Sequence, residues 1–390
     1  MYINLFDHID IILILGVILV ISAWSCKTTG KIGLPTLVGF IFIGLIIGNW
    51  FDFPDMQAVD TFTNFALLMI VFTGGFQTNF AKAKPVLVMS TVISIGGTLL
   101  TAWLVAVFAY YFMDFGITPS ILLGVIIAST DVASVSHVLH LKQANFKNNV
   151  GSIISLESGS NEPFAHVLTY VFIAVALGYG NPWILFVQEI VIGVVAGVIF
   201  AVIGKFLINR LDLDIDGIYG VLLCGIAFLM YGLAAQFHGS GFLAVYIGGL
   251  IIGNSKLVHK GSLSKLYSAF SMLMQITLFI ILGILTVPSA VFSIMGIGIV
   301  FALVLIFVIR PVTMYILMKP FRRPLNEIAL VSLAGFRGAP CIVFATHLLT
   351  VELPYGEKIF SIVFLVCMLS VILQSSFIVP IAKKLNLLEE

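Results

Sequence analysis

The sequence predicts an all-α polytopic membrane protein, and three observations support that prediction. Hydrophobic residues make up 60% of the 390-residue chain and charged residues only 9%, against roughly a quarter charged in ordinary soluble domains. Apolar runs of roughly 17 to 25 residues, the length that crosses the hydrocarbon core as a helix, recur from one end to the other. The connections between the runs are mostly short, so the medium in which this chain folds is lipid.

Thirteen apolar segments are predicted to be transmembrane helices. They fall at about 8–25, 34–50, 61–80, 85–112, 118–140, 150–178, 183–208, 216–236, 240–254, 265–286, 290–317, 327–349 and 359–381. Because no connection is long enough for a soluble domain, residues 1–390 are expected to form a single transmembrane domain without a soluble regulatory domain. Asp7 and Asp10 stand at the beginning of the first run, where a cleavable signal peptide would be positively charged, so that run is expected to remain as a spanning helix.

The charges in the connections predict the orientation of the chain. Short cytoplasmic loops hold most of the Lys and Arg residues of membrane proteins, and here alternate connections are basic while the others are mostly acidic. The basic connections contain Lys27, Lys31, Lys82, Lys84, Lys142, Lys147, Lys205, Arg210, Lys256, Lys260, Lys265, Lys319, Arg322, Arg323, Lys383 and Lys384. We therefore expect a protein of the inner (plasma) membrane with its N-terminus outside and its C-terminus in the cytoplasm.

Two of the predicted helices are interrupted at membrane depth. The fifth contains Ser129 to Asp131, and the twelfth contains Gly335 to Pro340, with two glycines, a proline and an arginine. Backbone groups freed by such breaks are tolerated in a membrane only where protein or a water-filled cavity meets them. Because the two helices run in opposite directions, they predict inverted repeats at about 8–178 and 216–381, joined by a linker helix at 183–208, with a binding site where the interrupted helices cross.

Composition excludes several classes of function. A net charge of +1 with no basic cluster argues against a nucleic-acid partner. The cysteines have no paired spacing, so neither a disulfide framework nor a zinc site is expected, and no cofactor is expected. The absence of the HExxH, nucleophile-elbow and paired-aspartate signatures argues against an intramembrane enzyme.

Four ionisable residues are predicted to lie within the membrane, namely Asp131, Glu157, Glu162 and Arg337. Each costs from about 2.5 kcal/mol upward at the centre of a helix, so each needs a partner or a function. Glu157 and Glu162 are five residues apart, which separates them by about 140° around a helix and predicts different partners. We hypothesise that Arg337, which is always protonated, pairs with Glu157, and that Glu162 titrates. In the alternative, both glutamates only neutralise Arg337.

Other polar side chains near the breaks are candidates for binding a monovalent cation. Asp131 is expected to neutralise a positive helix N-terminus, to help bind a cation, or both. Thr130 and Ser158 offer oxygen atoms, which suit a hard cation, although ordinary hydrogen bonding between helices is the simpler explanation for each hydroxyl taken alone. His166 follows Glu162 by one turn and is a candidate proton relay or a structural histidine.

Five motifs in this order resemble those of the bacterial sodium/proton and potassium/proton antiporters of the cation:proton antiporter superfamily, in its electroneutral branch. The run Ser155 to Pro163 is similar to the family's signature in the sixth helix. Ala128 to Asp131 and Gly335 to Pro340 resemble its two crossing helices. Gly239 to Tyr246 and the pair Arg310-Pro311 also fit, so the resemblance covers nearly the whole chain.

The resemblance implies a homodimer in which a core domain slides against a dimer domain and carries the ion site across the membrane. It implies that the cation and the proton bind at Glu162, Asn161, Asp131, Thr130 and Ser158, with Glu162 and Asp131 as the carboxylate ligands of the cation. Glu157 and Arg337 correspond to the family's structural ion pair. Because relatives that move net charge have a second Asp at the position of Asn161, one proton is expected to exchange for one cation.

The sequence also departs from the family pattern. Glu162 stands where the family usually has Asp, and Thr73 replaces an acidic residue. Many relatives carry a cytoplasmic regulatory domain after the last helix, and none is expected here. The expected function is electroneutral exchange of Na⁺ or K⁺ for H⁺, because a carboxylate in a cavity can hold either a proton or a cation but not both. A cation channel, or a carrier of a small organic ion on the same fold, is the alternative.

Overall fold

The computed structural model describes residues 16–17, 20–21, 36–48, 56–131, 133–136, 146–211 and 215–389. Most of the first predicted helix, at 8–25, lies outside these residues. Within them the secondary structure is helical apart from one antiparallel bridge between Phe146 and Leu388. The all-α prediction is therefore confirmed for the described part of the chain.

Thirteen helices, numbered here in chain order, make up the described part of the chain. They are α1 (Thr36–Gly48), α2 (Met56–Gln77), α3 (Phe80–Phe112), α4 (Ile117–Ala128), α5 (Val150–Ala176), α6 (Pro182–Arg210), α7 (Asp216–Gln236), α8 (Gly241–Gly253), α9 (Lys260–Ile284), α10 (Pro288–Phe321), α11 (Leu325–Leu333), α12 (Ala339–Thr350) and α13 (Gly356–Lys384). Of these, α3 and α10 contain short irregular turns, including a π-helical turn at Leu305–Ile309 in α10.

Eight helical stretches of the described residues are long and apolar enough to cross a membrane. They comprise α2, α3, α4 together with the helical residues 133–136, α6, α7, α9, α10 and α13. The helices α1, α8 and α12 are apolar but have only 12 or 13 residues, about 20 Å of helix. With 27 residues α5 is long enough to cross a membrane. It is less apolar than the eight stretches because it contains polar residues, including Glu157 and Glu162. The prediction of a multi-pass membrane protein is confirmed.

The helices pack as two bundles. The first, called the α2 bundle, consists of α1, α2, α6, α7, α8 and α9, and the second, called the α5 bundle, consists of α3, α4, α5 and α10 to α13. Glycines allow the closest approach within the α2 bundle: a Cβ atom at Gly249 of α8 would lie 2.7 Å from the carbonyl oxygen of Phe72 in α2. Small residues let helix backbones approach in this way in membranes.

The two predicted interruptions are present, and they meet inside the α5 bundle. After α4 ends at Ala128, the helix resumes at residues 133–136, and α11 ends at Leu333 before α12 begins at Ala339. The two breaks touch directly, because the backbone N–H of Asp131 donates a hydrogen bond of 2.9 Å to the carbonyl oxygen of Phe336. Four helix ends therefore converge in the protein interior.

Candidate functional site

All four ionisable residues predicted within the membrane are buried, and three further charged residues of the described part of the chain are buried as well. The structure also buries Arg310, Glu189 and Glu327, which the prediction did not include. Arg310 lies in the α5 bundle beside the breaks, whereas Glu189 lies on α6 in the α2 bundle. In the sequence, each of Arg310 and Glu189 is a charged residue inside a long apolar run.

Arg337 neutralises the end of α4. Its Nη1 donates to the carbonyl oxygens of Ser129, at 3.0 Å, and Ala128, at 3.5 Å. The last carbonyls of a helix lack a donor within the helix and form the negative end of its dipole, so a guanidinium group is stabilised there. The backbone N–H of Arg337 donates to the hydroxyl of Ser370 at 2.8 Å, which fixes the break to α13.

Asp131 has the opposite role: its carboxylate compensates the positive N-terminal ends of two helical segments. Its Oδ2 accepts from the backbone N–H of Ala339, the first residue of α12, at 3.0 Å, and its Oδ1 accepts from the N–H of Ser134 at 3.0 Å. The hydroxyl of Ser134 donates to Oδ2 as well. A Cβ atom at Gly338 would lie 2.1 Å from Asp131 Oδ2, so only glycine fits there. The predicted role of Asp131 at a positive helix N-terminus is thus observed.

The predicted ion pair between Glu157 and Arg337 is wrong. Glu157 Oε2 instead lies 2.9 Å from Nη2 of Arg310, and both side chains are buried. The physical reason is that carbonyl oxygens at the end of α4 already compensate Arg337, although it remains within electrostatic range of Glu157. The Arg310 side chain packs against Gly335, where a Cβ atom would lie 2.4 Å from its Nε.

Asn161 and Ser158, two of the predicted cation ligands, face Glu157 in this structure. Asn161 Nδ2 donates to Glu157 Oε1 at 3.4 Å and to the carbonyl oxygen of Ala128 at 3.3 Å. The hydroxyl of Ser158 donates to Glu157 Oε2 at 3.2 Å. The buried hydroxyl of Thr130 and the Oδ1 of Asn161 have no hydrogen-bond partner among the described residues. These two oxygen atoms remain available to a ligand.

Glu162, the second carboxylate of α5, is buried beside the α2 bundle. Its side chain is only 1% exposed, and it lies within electrostatic range of Tyr246 in α8. The Tyr246 ring packs on the same stretch of α5, since a Cβ atom at Gly159 would lie 3.3 Å from the ring. The two glutamates therefore have different surroundings, as their spacing predicts. Tyr246 is a candidate site residue that sequence reasoning treated only as part of a motif.

Two cavities lie between the bundles, at opposite ends of α2. The first, called the acidic cavity, has a volume of about 280 Å³ and lies at the start of α2. The second, called the hydroxyl cavity, has a volume of about 490 Å³ and lies at its end. The chemically important lining residues are Asp60, His166, Glu189, Tyr231 and His347 in the acidic cavity, and Thr73, Gln77, Ser155, Ser271 and Gln275 in the hydroxyl cavity.

Glu162 lies between these cavities along α5. Ser155 lines the hydroxyl cavity seven residues before it, and His166 lines the acidic cavity four residues after it, which corresponds to about 10 Å and 6 Å of helix. The His166 ring packs between the rings of Phe242 and Phe344, at centroid distances of 4.5 Å and 5.7 Å. Aromatic rings therefore surround His166 where α5 borders the acidic cavity.

Discontinuous helices that cross inside a membrane protein and surround buried ionisable groups are the architecture of a secondary transporter. The comparisons with known proteins agree. The sequence of this chain matches the family described as "Sodium/hydrogen exchanger, transmembrane" over residues 16–384. The chain therefore belongs to the sodium/hydrogen exchanger family, and the resemblance inferred from its motifs is confirmed.

Several curated relatives align over most of the chain. The K(+)/H(+) antiporter NhaP of Alkalimonas amylolytica is 29% identical over 384 residues, which are 96% of this chain and 67% of the relative. The K(+)/H(+) antiporter NhaP2 of Shewanella oneidensis is 27% identical and also covered to 67%. The probable Na(+)/H(+) antiporter 2 of Methanocaldococcus jannaschii is 28% identical over 354 residues, with 83% of it covered. These relatives are named as transporters and not as enzymes.

A solved structure shares the fold. The sodium proton antiporter MjNhaP1 from Methanocaldococcus jannaschii, determined at pH 8, superimposes with a TM-score of 0.84. It covers 96% of this chain, which in turn covers 100% of it, at 21% sequence identity. The arrangement of helices described above is thus that of a known antiporter fold.

Proposed function

We propose that this protein exchanges Na⁺ or K⁺ for H⁺ across the membrane, with Glu162 as the carboxylate for which the two ions compete. One observation carries the proposal: Glu162 is buried on α5 between two cavities that lie at opposite ends of α2. Glu157, the other carboxylate of α5, is committed to Arg310. The antiporter names of the relatives favour exchange over a channel or an organic-ion carrier.

Competition at one carboxylate is sufficient to couple the two ions. Desolvation favours the protonated form of a buried carboxyl group, whereas a bound cation favours the charged form. An empty, charged site is costly to move through a low-dielectric interior, so only the protonated and the cation-loaded forms cross. Exchange is proposed to be electroneutral, because the residue before Glu162 is Asn161, whose amide cannot carry a second exchangeable proton.

The proposed cation site combines Glu162 with an oxygen atom of Thr130, in the break after α4, and one of Asn161, on α5. Thr130 Oγ1 and Asn161 Oδ1 are buried without partners among the described residues, which supports them as ligands of a hard cation. Asp131 and Ser158 belong to the site in a different way: their hydrogen bonds support a role in holding helix ends and Glu157 in position. Asp131 adds negative charge near the bound cation.

The movement is proposed to be of the elevator type, in which the α5 bundle slides against the α2 bundle and carries Glu162 between the cavities. The two-bundle packing and the position of both cavities at the boundary support this motion. We further propose inverted repeats at 8–178 and 216–381 around the linker helix 183–208, thirteen spans with the N-terminus outside, a cytoplasmic C-terminus and a homodimer in the plasma membrane.

Proteoliposomes with a trapped pH dye test the proposal. Addition of NaCl, KCl or LiCl to acid-loaded vesicles is expected to raise the internal pH with at least one of these salts, whereas choline chloride is expected to have no effect. Electroneutral exchange predicts a rate that does not depend on the membrane potential. The potential is set by a gradient of a membrane-permeant lipophilic ion, because a potassium gradient would also change the concentration of a proposed substrate. No pH response to any alkali cation would refute the proposed exchange, and a steady conductance in a planar bilayer would indicate a channel.

A further inference from the structure

Glu189 is a buried carboxylate that the mechanism above does not use. It lies on α6, in the α2 bundle, and its side chain is 4% exposed while it lines the acidic cavity. Its Oε2 has no hydrogen-bond partner, and it forms no ion pair among the described residues. A carboxylate in this position is stable only when it is protonated or when it binds a cation.

The acidic cavity offers further oxygen atoms beside Glu189. The hydroxyl of Thr169 on α5 lines the same cavity, is buried, and has no partner among the described residues. Asp60 contributes a second carboxylate, although His347 Nδ1 contacts it at 3.2 Å. The titratable groups that face this space from the surrounding helices are Asp60, His166, Tyr170, Tyr231, His238 and His347. Among the residues that the structure describes, no Lys or Arg side chain lines the cavity.

We propose that Glu189 forms a second site for a monovalent cation, which loads Glu162 from the acidic cavity. Carboxylate, hydroxyl and phenol oxygens are the ligands that a hard cation prefers. A volume of about 280 Å³ holds several water molecules, so the ion can remain partly hydrated there. This inference rests on the proposed function of Glu162.

Glu189 keeps its place during the proposed movement because its helix belongs to the α2 bundle, whereas Thr169 on α5 completes the site only in the arrangement observed here. The carbonyl oxygen of Glu189 accepts a hydrogen bond of 3.0 Å from the N–H of Ser240, and the hydroxyl of Ser240 caps the start of α8. Glu189 and Tyr246 are thus held on the same pair of packed helices, and Tyr246 faces Glu162. His166 lines the same cavity as Glu189 and lies about one helical turn from Glu162 on α5.

Cation-dependent thermal stability of the purified protein tests the second site without any transport step. A ligand that binds the folded state raises the unfolding temperature, so NaCl and KCl titrations at alkaline pH, matched in ionic strength with choline chloride, report binding. We expect Glu162→Gln to keep a weakened stabilisation by at least one cation and Glu162→Gln/Glu189→Gln to lose it. Glu162→Gln/Glu357→Gln is the matched control, because Glu357 is an exposed carboxylate outside the acidic cavity, and it is expected to behave like Glu162→Gln alone.

Two results would overturn the second site: loss of all cation-dependent stabilisation in Glu162→Gln alone, or its persistence in the Glu162→Gln/Glu189→Gln double variant. Should Glu189→Gln lower the yield of folded protein, Thr169→Val in the Glu162→Gln background replaces it. That variant is expected to raise the half-saturating cation concentration by about three- to tenfold, the effect of losing one hydrogen-bonding ligand, and an unchanged titration overturns the site. Failure of the proposed function is distinguishable, because it would appear as vesicle exchange by Glu162→Gln.

Discussion

Arg310 Nη2 lies 2.9 Å from Glu157 Oε2, so the buried ion pair joins α10 to α5. Arg337, the partner that the sequence predicts, instead donates to Ser129 and Ala128 at the end of α4. The two arginines therefore have separate tasks: one compensates a carboxylate and the other compensates a helix dipole. Glu162, the other carboxylate of α5, lies within electrostatic range of Tyr246 in the α2 bundle.

A double-mutant cycle distinguishes the two possible partners of Glu157. Removal of one member of a buried ion pair costs about 3–5 kcal/mol because an uncompensated charge remains, so Glu157→Gln and Arg310→Gln are each expected to reduce the stability of the purified protein strongly. Their coupling energy is expected to be about 1–3 kcal/mol and larger than that between Glu157→Gln and Arg337→Gln. Chemical unfolding in mild detergent gives these values. A larger coupling with Arg337 would contradict the ion pair described here.

Gly338 is expected to tolerate no side chain. A methyl group there would lie 2.1 Å from Asp131 Oδ2, so Gly338→Ala should displace the carboxylate that caps α12 and abolish exchange or folding. Gly151→Ala is the matched control, since a Cβ atom at Gly151 meets nothing within 4 Å and alanine is the better helix former by about 1 kcal/mol. Yield of monodisperse protein and vesicle exchange measure both variants. Equal behaviour of the two would show that the contact at Gly338 is unimportant.

Asp60 and His347 connect the two bundles across the acidic cavity. His347 Nδ1 lies 3.2 Å from Asp60 Oδ2, with α2 on one side and α12 on the other. The contact holds α2 against α12, so His347→Gln should release one connection between the bundles. We expect exchange to become about two- to fivefold faster, consistent with the loss of a partly exposed pair worth up to about 1 kcal/mol.

His238→Gln is the control, because it alters another histidine of the acidic cavity, and it should leave the exchange rate unchanged. An identical change in both variants would mean that the cavity's charge, rather than the contact between the bundles, controls the rate.

The hydroxyl of Tyr246 is expected to tune Glu162. Tyr246→Phe keeps the ring that packs on Gly159 and removes only the polar group near the carboxylate. Because a hydroxyl dipole near a carboxylate favours its charged form, its loss should raise the cation concentration for half-maximal exchange by about two- to fivefold. Initial exchange rates over a cation series measure the effect. An unchanged cation dependence would remove Tyr246 from the site.

Much of the architecture could be predicted from composition and helix-breaking residues. The apolar runs predict the helices because every backbone group must be paired within lipid, and Gly335 and Pro340 predict the break between α11 and α12. The predicted segment 240–254 agrees with α8 to within one residue at each end. The positions of Asp131 and Glu162 in the interior followed from their cost in a membrane.

The pairing of charges could not be predicted in the same way. Glu157 and Arg310 are far apart in sequence, and whether α5 meets α10 or α12 at that level depends on packing between helices. The π-helical turn at Leu305–Ile309, directly before Arg310, changes the direction of the following side chains, and no local sequence signal marks it. Glu189 was missed because a single acid in a run of apolar residues has no motif around it.

The exchange activity of Glu162→Gln tests the central claim most directly. Glutamine keeps the size and much of the hydrogen bonding of the side chain but cannot lose a proton or bind a cation by charge. In proteoliposomes with a trapped pH dye, we predict that this variant folds, reconstitutes like the unmodified protein and gives no pH change with NaCl or KCl, whereas Glu357→Gln exchanges normally. Cation-driven proton movement by folded Glu162→Gln at the unmodified rate would contradict the account.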